Sequence, residues 1–361
     1  MNFLRLISGT SALTFAVFAS PLAGQEHRGP AFSEDGTVNV SAFDLPPSVL
    51  ASDESRQAQE MRGRIPVGAM TTGQDPEIGA RRATLARMLQ PRVDLIQQMY
   101  PARVEEAVIA GVPVRIITPA EGEFDPGRVL INLHGGAFNV CWESCSLIES
   151  IPIAVMGGYR VISVNYRMAP EHRHPAGVED AAAVFGSLLE DYDPDSIGVF
   201  GCSAGGALTA QLAAYLPTND MPQMGAAGIF GAGGVRFQSG DSAYIAANID
   251  GSFPGPDVDG QLAQDLTLGY FDGADYADPI ISPALHPEVI ASFPPTLITT
   301  GTRAMDLSPA IVTNSALLAQ NVNSTLIVGE AMGHCYQYNP ALPESREAYA
   351  ATVRHFRQNL D

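Results

Sequence analysis

The chain has 361 residues with 39 acidic and 20 basic side chains, a formal net charge of −19, and every one of the basic residues is arginine. That balance argues against nucleic acid as a partner. The missing amines exclude a pyridoxal Schiff base, a phosphate loop ending in Gly-Lys-Ser and a Ser-x-x-Lys acyl enzyme.

In chain order, Arg5 is followed by a mainly apolar run from Leu6 to Ala19 and by small residues through Gly24. This layout predicts a secretory signal peptide over residues 1–24, too short and too interrupted for a spanning helix. The mature protein is therefore expected to be exported, periplasmic or secreted, with no membrane span. Gln25 stands where a lipoprotein would need cysteine.

Residues 25–101 show no strand pattern; Pro46, Pro47, Pro66 and Pro91 break them, and an amphipathic stretch runs near Arg81 to Tyr100. From residue 102 onward short β-rich runs alternate with helical segments, the pattern of an α/β sheet. The predicted strands are Val104–Ala110, Val112–Thr118, Arg128–Leu133, Arg160–Asn165, Ser196–Phe200, Ala226–Phe230, Pro295–Thr300 and Ser324–Val328. The first two, around Gly111, read as an antiparallel hairpin. Helices are predicted near Val178–Asp191, Ala204–Leu216, Ser308–Gln320 and Ser345–Leu360, and an acidic Gly- and Pro-rich insertion occupies about 236–292.

Export implies an oxidising compartment for Cys141, Cys145, Cys202 and Cys335. Cys141 and Cys145, four apart in one loop, either bridge or remain buried thiols. No Cys-x-x-Cys pair or His cluster offers metal-ligand spacing, so neither a metal nor a cofactor is expected.

Gly201-Cys202-Ser203-Ala204-Gly205 joins a predicted strand to a predicted helix. Its glycines permit a strained turn that holds the Ser203 hydroxyl clear, with helix N–H groups facing any developing negative charge. His134-Gly135-Gly136-Ala137-Phe138 ends another strand, where peptide N–H groups can meet an oxyanion; Gly135, Gly136 and Ala204 are the expected donors. Serine needs a general base, and the base an acid. Of seven histidines, His334 follows the last predicted strand and is the best placed. The acid should follow the preceding strand: Asp306 is expected, with Glu330 the alternative.

Together, His-Gly-Gly-Ala-Phe at 134–138, Tyr-Arg-Met-Ala-Pro-Glu at 166–171, Gly-Cys-Ser-Ala-Gly-Gly at 201–206 and Gly-His at 333–334 resemble the hormone-sensitive lipase family of α/β-hydrolase esterases. The resemblance covers about residues 102–361. It implies an α/β-hydrolase fold with a mostly parallel eight-stranded sheet flanked by helices, and a helical cap formed by 25–101 and the insertion at 236–292. It also implies that residues 166–171 brace the turn beneath the active site. Cys202 stands where the family usually has Asp, Ala137 where it usually has a third Gly, and Ala304 where many relatives carry the acid. The activity implied is hydrolysis of small to medium acyl esters, a small-molecule substrate. Alternatives are an amidase or acyltransferase on the same triad, or a ligand-binding pseudo-hydrolase. Tyr244, Phe253 and Tyr270 are candidate pocket residues. The sequence carries no signal for oligomeric state.

Overall fold

The structure, a computed structural model, describes residues 29–62, 77–237, 239–250, 253, 255–256 and 265–361. The expected signal peptide at 1–24 lies outside them, as does part of the 236–292 insertion. Two compact units divide between Pro46 and Pro47. The described part of the first holds a small antiparallel hairpin, β1 (Ala31–Phe32) and β2 (Val38–Asn39). Its turn is closed by the Thr37 N–H donating to Asp35 Oδ1 at 2.9 Å, with Gly36 at φ 87°. No strand is predicted there, because two residues a side are too few for a periodic signal.

The second unit opens with α1 (Asp53–Arg62) and α2 (Ile78–Met99). There follow β3 (Ala102–Ile109), β4 (Val112–Pro119), β5 (Val129–Leu133), α3 (Trp142–Gly157), β6 (Arg160–Val164), α4 (Ala176–Leu188), β7 (Ile197–Cys202), α5 (Ala204–Thr218) and β8 (Ala226–Phe230). After α6 (Asp241–Ile249) and the single turn α7 (Pro287–Ile290), the chain closes with β9 (Thr296–Gly301), α8 (Leu307–Ala319), β10 (Ser324–Gly329) and α9 (Pro343–Asn359). All eight strands predicted after residue 101 join one sheet, in the order β10-β9-β8-β7-β5-β6-β4-β3. The β3–β4 and β4–β6 pairs are antiparallel and the other five parallel.

Alternate residues of β5 explain the layering. Val129, Ile131 and Leu133 face a core shared with α4, α5 and α8, whereas Leu130 faces one shared with α2, α3 and α9. Every residue of β5, β7, β8 and β9 is buried, as a strand covered on both faces must be. Val93 and Ile96 place α2 in that second core, so this part of the 25–101 segment packs as body of the fold.

The longest of the helices without a counterpart among the predicted elements is α3. Residues 141–157 were expected to begin as a loop; instead Cys141 precedes α3 and Cys145 lies in its first turn. Ser144, Cys145, Ser146, Glu149 and Ser150 are buried along with the apolar residues, so the helix has no amphipathic stripe, and Pro152 lies inside it. The parallel strands end on a common edge, which gathers the turns after β5, β7, β9 and β10.

Candidate active site

Ser203 occupies the sharp turn between β7 and α5 at φ 60° and ψ −122°. Such a conformation is strained for a residue bearing a Cβ, by about 1–3 kcal/mol. Its neighbours explain why it is tolerated. A Cβ on Gly201 would lie 2.1 Å from the Leu133 carbonyl oxygen, and one on Gly205 1.6 Å from the same atom. Only glycine at both positions lets the turn close against the end of β5, while the Ser203 N–H donates to Phe230 O at 2.8 Å.

The turn after β10 brings His334 Nε2 to 2.9 Å from Ser203 Oγ, and His334 Nδ1 lies 2.6 Å from Asp306 Oδ1. Asp306 is fully buried at the start of α8 and makes no side-chain cap bond to that helix. Its other oxygen accepts from Thr300 Oγ1 at 2.5 Å. The turn from Gly301, in which the Ala304 N–H donates to Gly301 O at 3.0 Å and the Leu307 N–H to Ala304 O at 3.3 Å, carries the chain past the apolar Ala304. The carboxylate two residues later therefore still reaches the imidazole. Glu330, the alternative acid, is exposed and accepts from Ser48 Oγ at 2.7 Å.

The glycine loop differs from expectation in one atom pair. The Gly135 N–H, expected to face an oxyanion, donates instead to Glu149 Oε1 at 2.8 Å. Gly136, Ala137 and Phe138 turn the chain at φ 119°, 50° and 61°. The N–H groups of Gly136, Ala137 and Ala204 have no acceptor among the described residues. Ala137, Ser203 and Ala204 line one cavity. His134 is fully buried away from Ser203. Its Nδ1–H donates to Gly135 O at 2.7 Å and its ring stacks on Tyr166 at 4.4 Å, while burial pushes its pKa down to about 4 and keeps it neutral. Tyr166 OH donates to His134 O at 2.7 Å, and Arg82 of α2 pairs with Glu171 at 2.7 Å while donating to Asn139 O and Ala169 O. Residues 166–171 thus brace the loop.

Glu149 went unpredicted, although an acid in the run Leu-Ile-Glu-Ser-Ile is a signal of a buried polar role. Besides Gly135, its carboxylate accepts from Asn132 Nδ2 at 2.9 Å, the Cys202 N–H at 3.1 Å and the Tyr338 hydroxyl. Burial pushes its carboxyl up to about 7, although all four donors favour the anion. All four cysteines are paired. Cys141 bridges Cys145, and Cys202 bridges Cys335, a pair 133 residues apart that spacing alone could not propose.

The cavity holds about 390 Å³, with Gln211, Arg236, Phe237, Phe271, Tyr276 and Ile281 among its walls. Of the candidate pocket residues, Tyr270 is instead buried core: its ring stacks on Phe138 at 4.6 Å and its oxygen accepts from the Gly177 N–H at 2.9 Å. Tyr244 is exposed on α6 and does not line the cavity. Phe253 packs edge-on to His334 at 5.3 Å, and Phe237 does so at 5.6 Å.

A family model described as the alpha/beta hydrolase fold matches residues 130–338, more than half the chain. The chain is similar to an acetyl-hydrolase of Streptomyces hygroscopicus, 28% identical over 62% of this chain and 73% of that protein. It is also similar to the carboxylesterase NlhH of Mycobacterium tuberculosis, 33% identical over 35% of this chain and 42% of that protein. A versiconal hemiacetal acetate esterase of Emericella nidulans is 29% identical over 38% of this chain and 48% of that protein, so the chain spans about half the length of these last two relatives. Among solved structures, esterase E25 matches with a TM-score of 0.75 at 29% identity, covering 90% of this chain and 99% of that one.

Proposed function

The chain belongs to the alpha/beta hydrolase fold family, and we propose that within it the protein is a serine carboxylesterase acting on small to medium acyl esters. The observation that carries this reading is the unbroken hydrogen-bonded series Ser203 Oγ, His334, Asp306, Thr300. The esterases and acetyl-hydrolase to which the chain is similar support it.

Asp306 accepts the His334 Nδ1–H and so fixes the tautomer whose Nε2 can take the Ser203 proton. Oγ then attacks the ester carbonyl. The carbonyl oxygen gathers negative charge beside the N–H groups of Gly136, Ala137 and Ala204, which replace the set expected from sequence; each such donor lowers the barrier by about 3 kcal/mol. His334 returns the proton to the departing alcohol, and water, activated by the same imidazole, releases the acid and restores Ser203. No step requires a metal or cofactor. The hydrogen bond between His334 and Asp306 supports this reading over a non-catalytic binder.

The test is turnover of p-nitrophenyl acetate and butyrate by the purified protein, with organophosphate labelling mapped by mass spectrometry. Turnover together with a single label on Ser203 is the expected result; an inert protein contradicts the reading. We further propose export. It is supported by the signal-like residues 1–24 and by two disulfides, which persist in oxidising compartments. The N-terminal sequence of the protein recovered from outside the cytoplasm tests it.

A further inference from the structure

The sequence places one cysteine immediately before the serine and another immediately after the histidine, and the structure joins the two. We propose that the Cys202–Cys335 bridge is a positioning device for the Ser203–His334 pair. This rests on the esterase reading.

Ser203 and His334 come from turns 131 residues apart, and each turn contains a conformation that a side chain disfavours. Ser203 sits at φ 60° and Cys335 at φ 48°. Strained turns persist only where the surroundings over-determine them. The hydrogen bond that His334 Nδ1–H donates to Asp306 orients the imidazole, but it does not fix how far the histidine turn stands from the serine turn. The bridge does, because it joins the neighbouring residues directly. Its surroundings leave little slack. Cys202 and Cys335 are both buried, and Gln337 Nε2 donates to Cys202 Sγ at 3.1 Å. Gly231, at the end of β8, is the surface against which the assembly packs. A Cβ there would lie 2.9 Å from Cys335 Sγ, 3.1 Å from Cys202 Sγ and 3.2 Å from His334 Cε1.

The other bridge makes the contrast. Cys141–Cys145 closes four residues at the start of α3 and joins no catalytic turn to another. Cys202 also stands where the resembling family usually has Asp, a residue that cannot form this tie. Without the tie, the serine–histidine distance should spread while the cavity walls Phe237, Phe271 and Tyr276 stay in place. Turnover should therefore suffer, and ground-state binding should not.

The experiment compares the purified wild type with Cys202→Ser/Cys335→Ser and with Cys202→Asp/Cys335→Ala, the latter carrying the family's usual residue before the serine. Three quantities are read: the stoichiometry and rate of Ser203 labelling by an organophosphate, kcat per labelled site with p-nitrophenyl butyrate, and KM. The expected result is complete final labelling in both variants, with labelling rate and kcat per site lowered about tenfold or more and KM within about threefold. Wild-type kcat per labelled site, with only thermal stability reduced, overturns the proposal and leaves the bridge a structural staple. A wild type that neither turns over ester nor labels overturns the esterase reading itself, and this inference with it, so the two failures are distinct.

Discussion

The Gly135 N–H donates to Glu149 Oε1 at 2.8 Å in the interior of the protein, and this bond decides which peptides of the glycine loop are left to face a substrate. The same carboxylate accepts from the Cys202 N–H and from Tyr338, so one buried acid joins the glycine loop, the serine turn and the segment after His334. All its partners are donors. Glu149→Gln therefore sets an amide N–H₂ against at least two of them and leaves buried donors unpaired, a loss of about 1–3 kcal/mol for each. The variant should melt several degrees lower and lose most of its kcat toward p-nitrophenyl butyrate. A wild-type melting point and kcat would show that the tie is dispensable.

Burial of ionisable groups sets how stability responds to pH. His134 and His355 are pushed by burial from 6.5 down to about 4 in the fold, so their contribution is present above 6.5 and lost as pH falls from there toward 4. Glu149 acts oppositely: burial raises it from 4.5 to about 7, so its contribution is present below 4.5 and lost as pH rises through about 7. Between 4.5 and 6.5, unfolding lets two histidines take up protons while one carboxyl releases its own. Stability should accordingly fall as the solution is acidified through this window. Urea unfolding at pH 7, 6 and 5 measures the slope, and His355→Gln, remote from Ser203, should flatten it.

Gln211 is buried on α5 with its Oε1 unbonded, and it lines the cavity on the same helical face as Ala204 and Ala207. Seven residues from Ala204, it stands about 10 Å along the helix from the serine turn. A buried amide oxygen without a partner destabilises the fold, so Gln211→Met should raise stability by about 1 kcal/mol. Hydrolysis of p-nitrophenyl butyrate should stay within about threefold of wild type. Esters whose longer arm ends in a hydroxyl should lose more. Thermal melts and paired kcat/KM values check both parts.

How far this was legible in the sequence follows from where each signal resides. The strands could be read because β5, β7, β8 and β9 are short runs rich in apolar and β-branched residues bounded by turns, and Ser203, Asp306 and His334 could be placed because each follows a strand that ends on the common edge. α3 could not, because burial on all sides leaves it no stripe and its serines and Pro152 imitate a loop. Motif spacing marks the glycine loop but not which N–H turns inward, and that depends on Glu149, two turns into α3. The Cys202–Cys335 pairing and the burial of Tyr270 against Phe138 and Gly177 depend on contacts between distant segments, which no local pattern records.

The central claim is that Asp306, through His334, serves the hydroxyl of Ser203 in ester hydrolysis. Its most direct test is kcat with p-nitrophenyl butyrate for Asp306→Asn beside Glu330→Gln. The asparagine amide would favour the wrong imidazole tautomer, so a fall of roughly 10⁴-fold is predicted for the first, with its fold intact, and less than about twofold for the second. An Asp306→Asn enzyme that keeps wild-type kcat, or a comparable collapse in Glu330→Gln, would contradict the assignment.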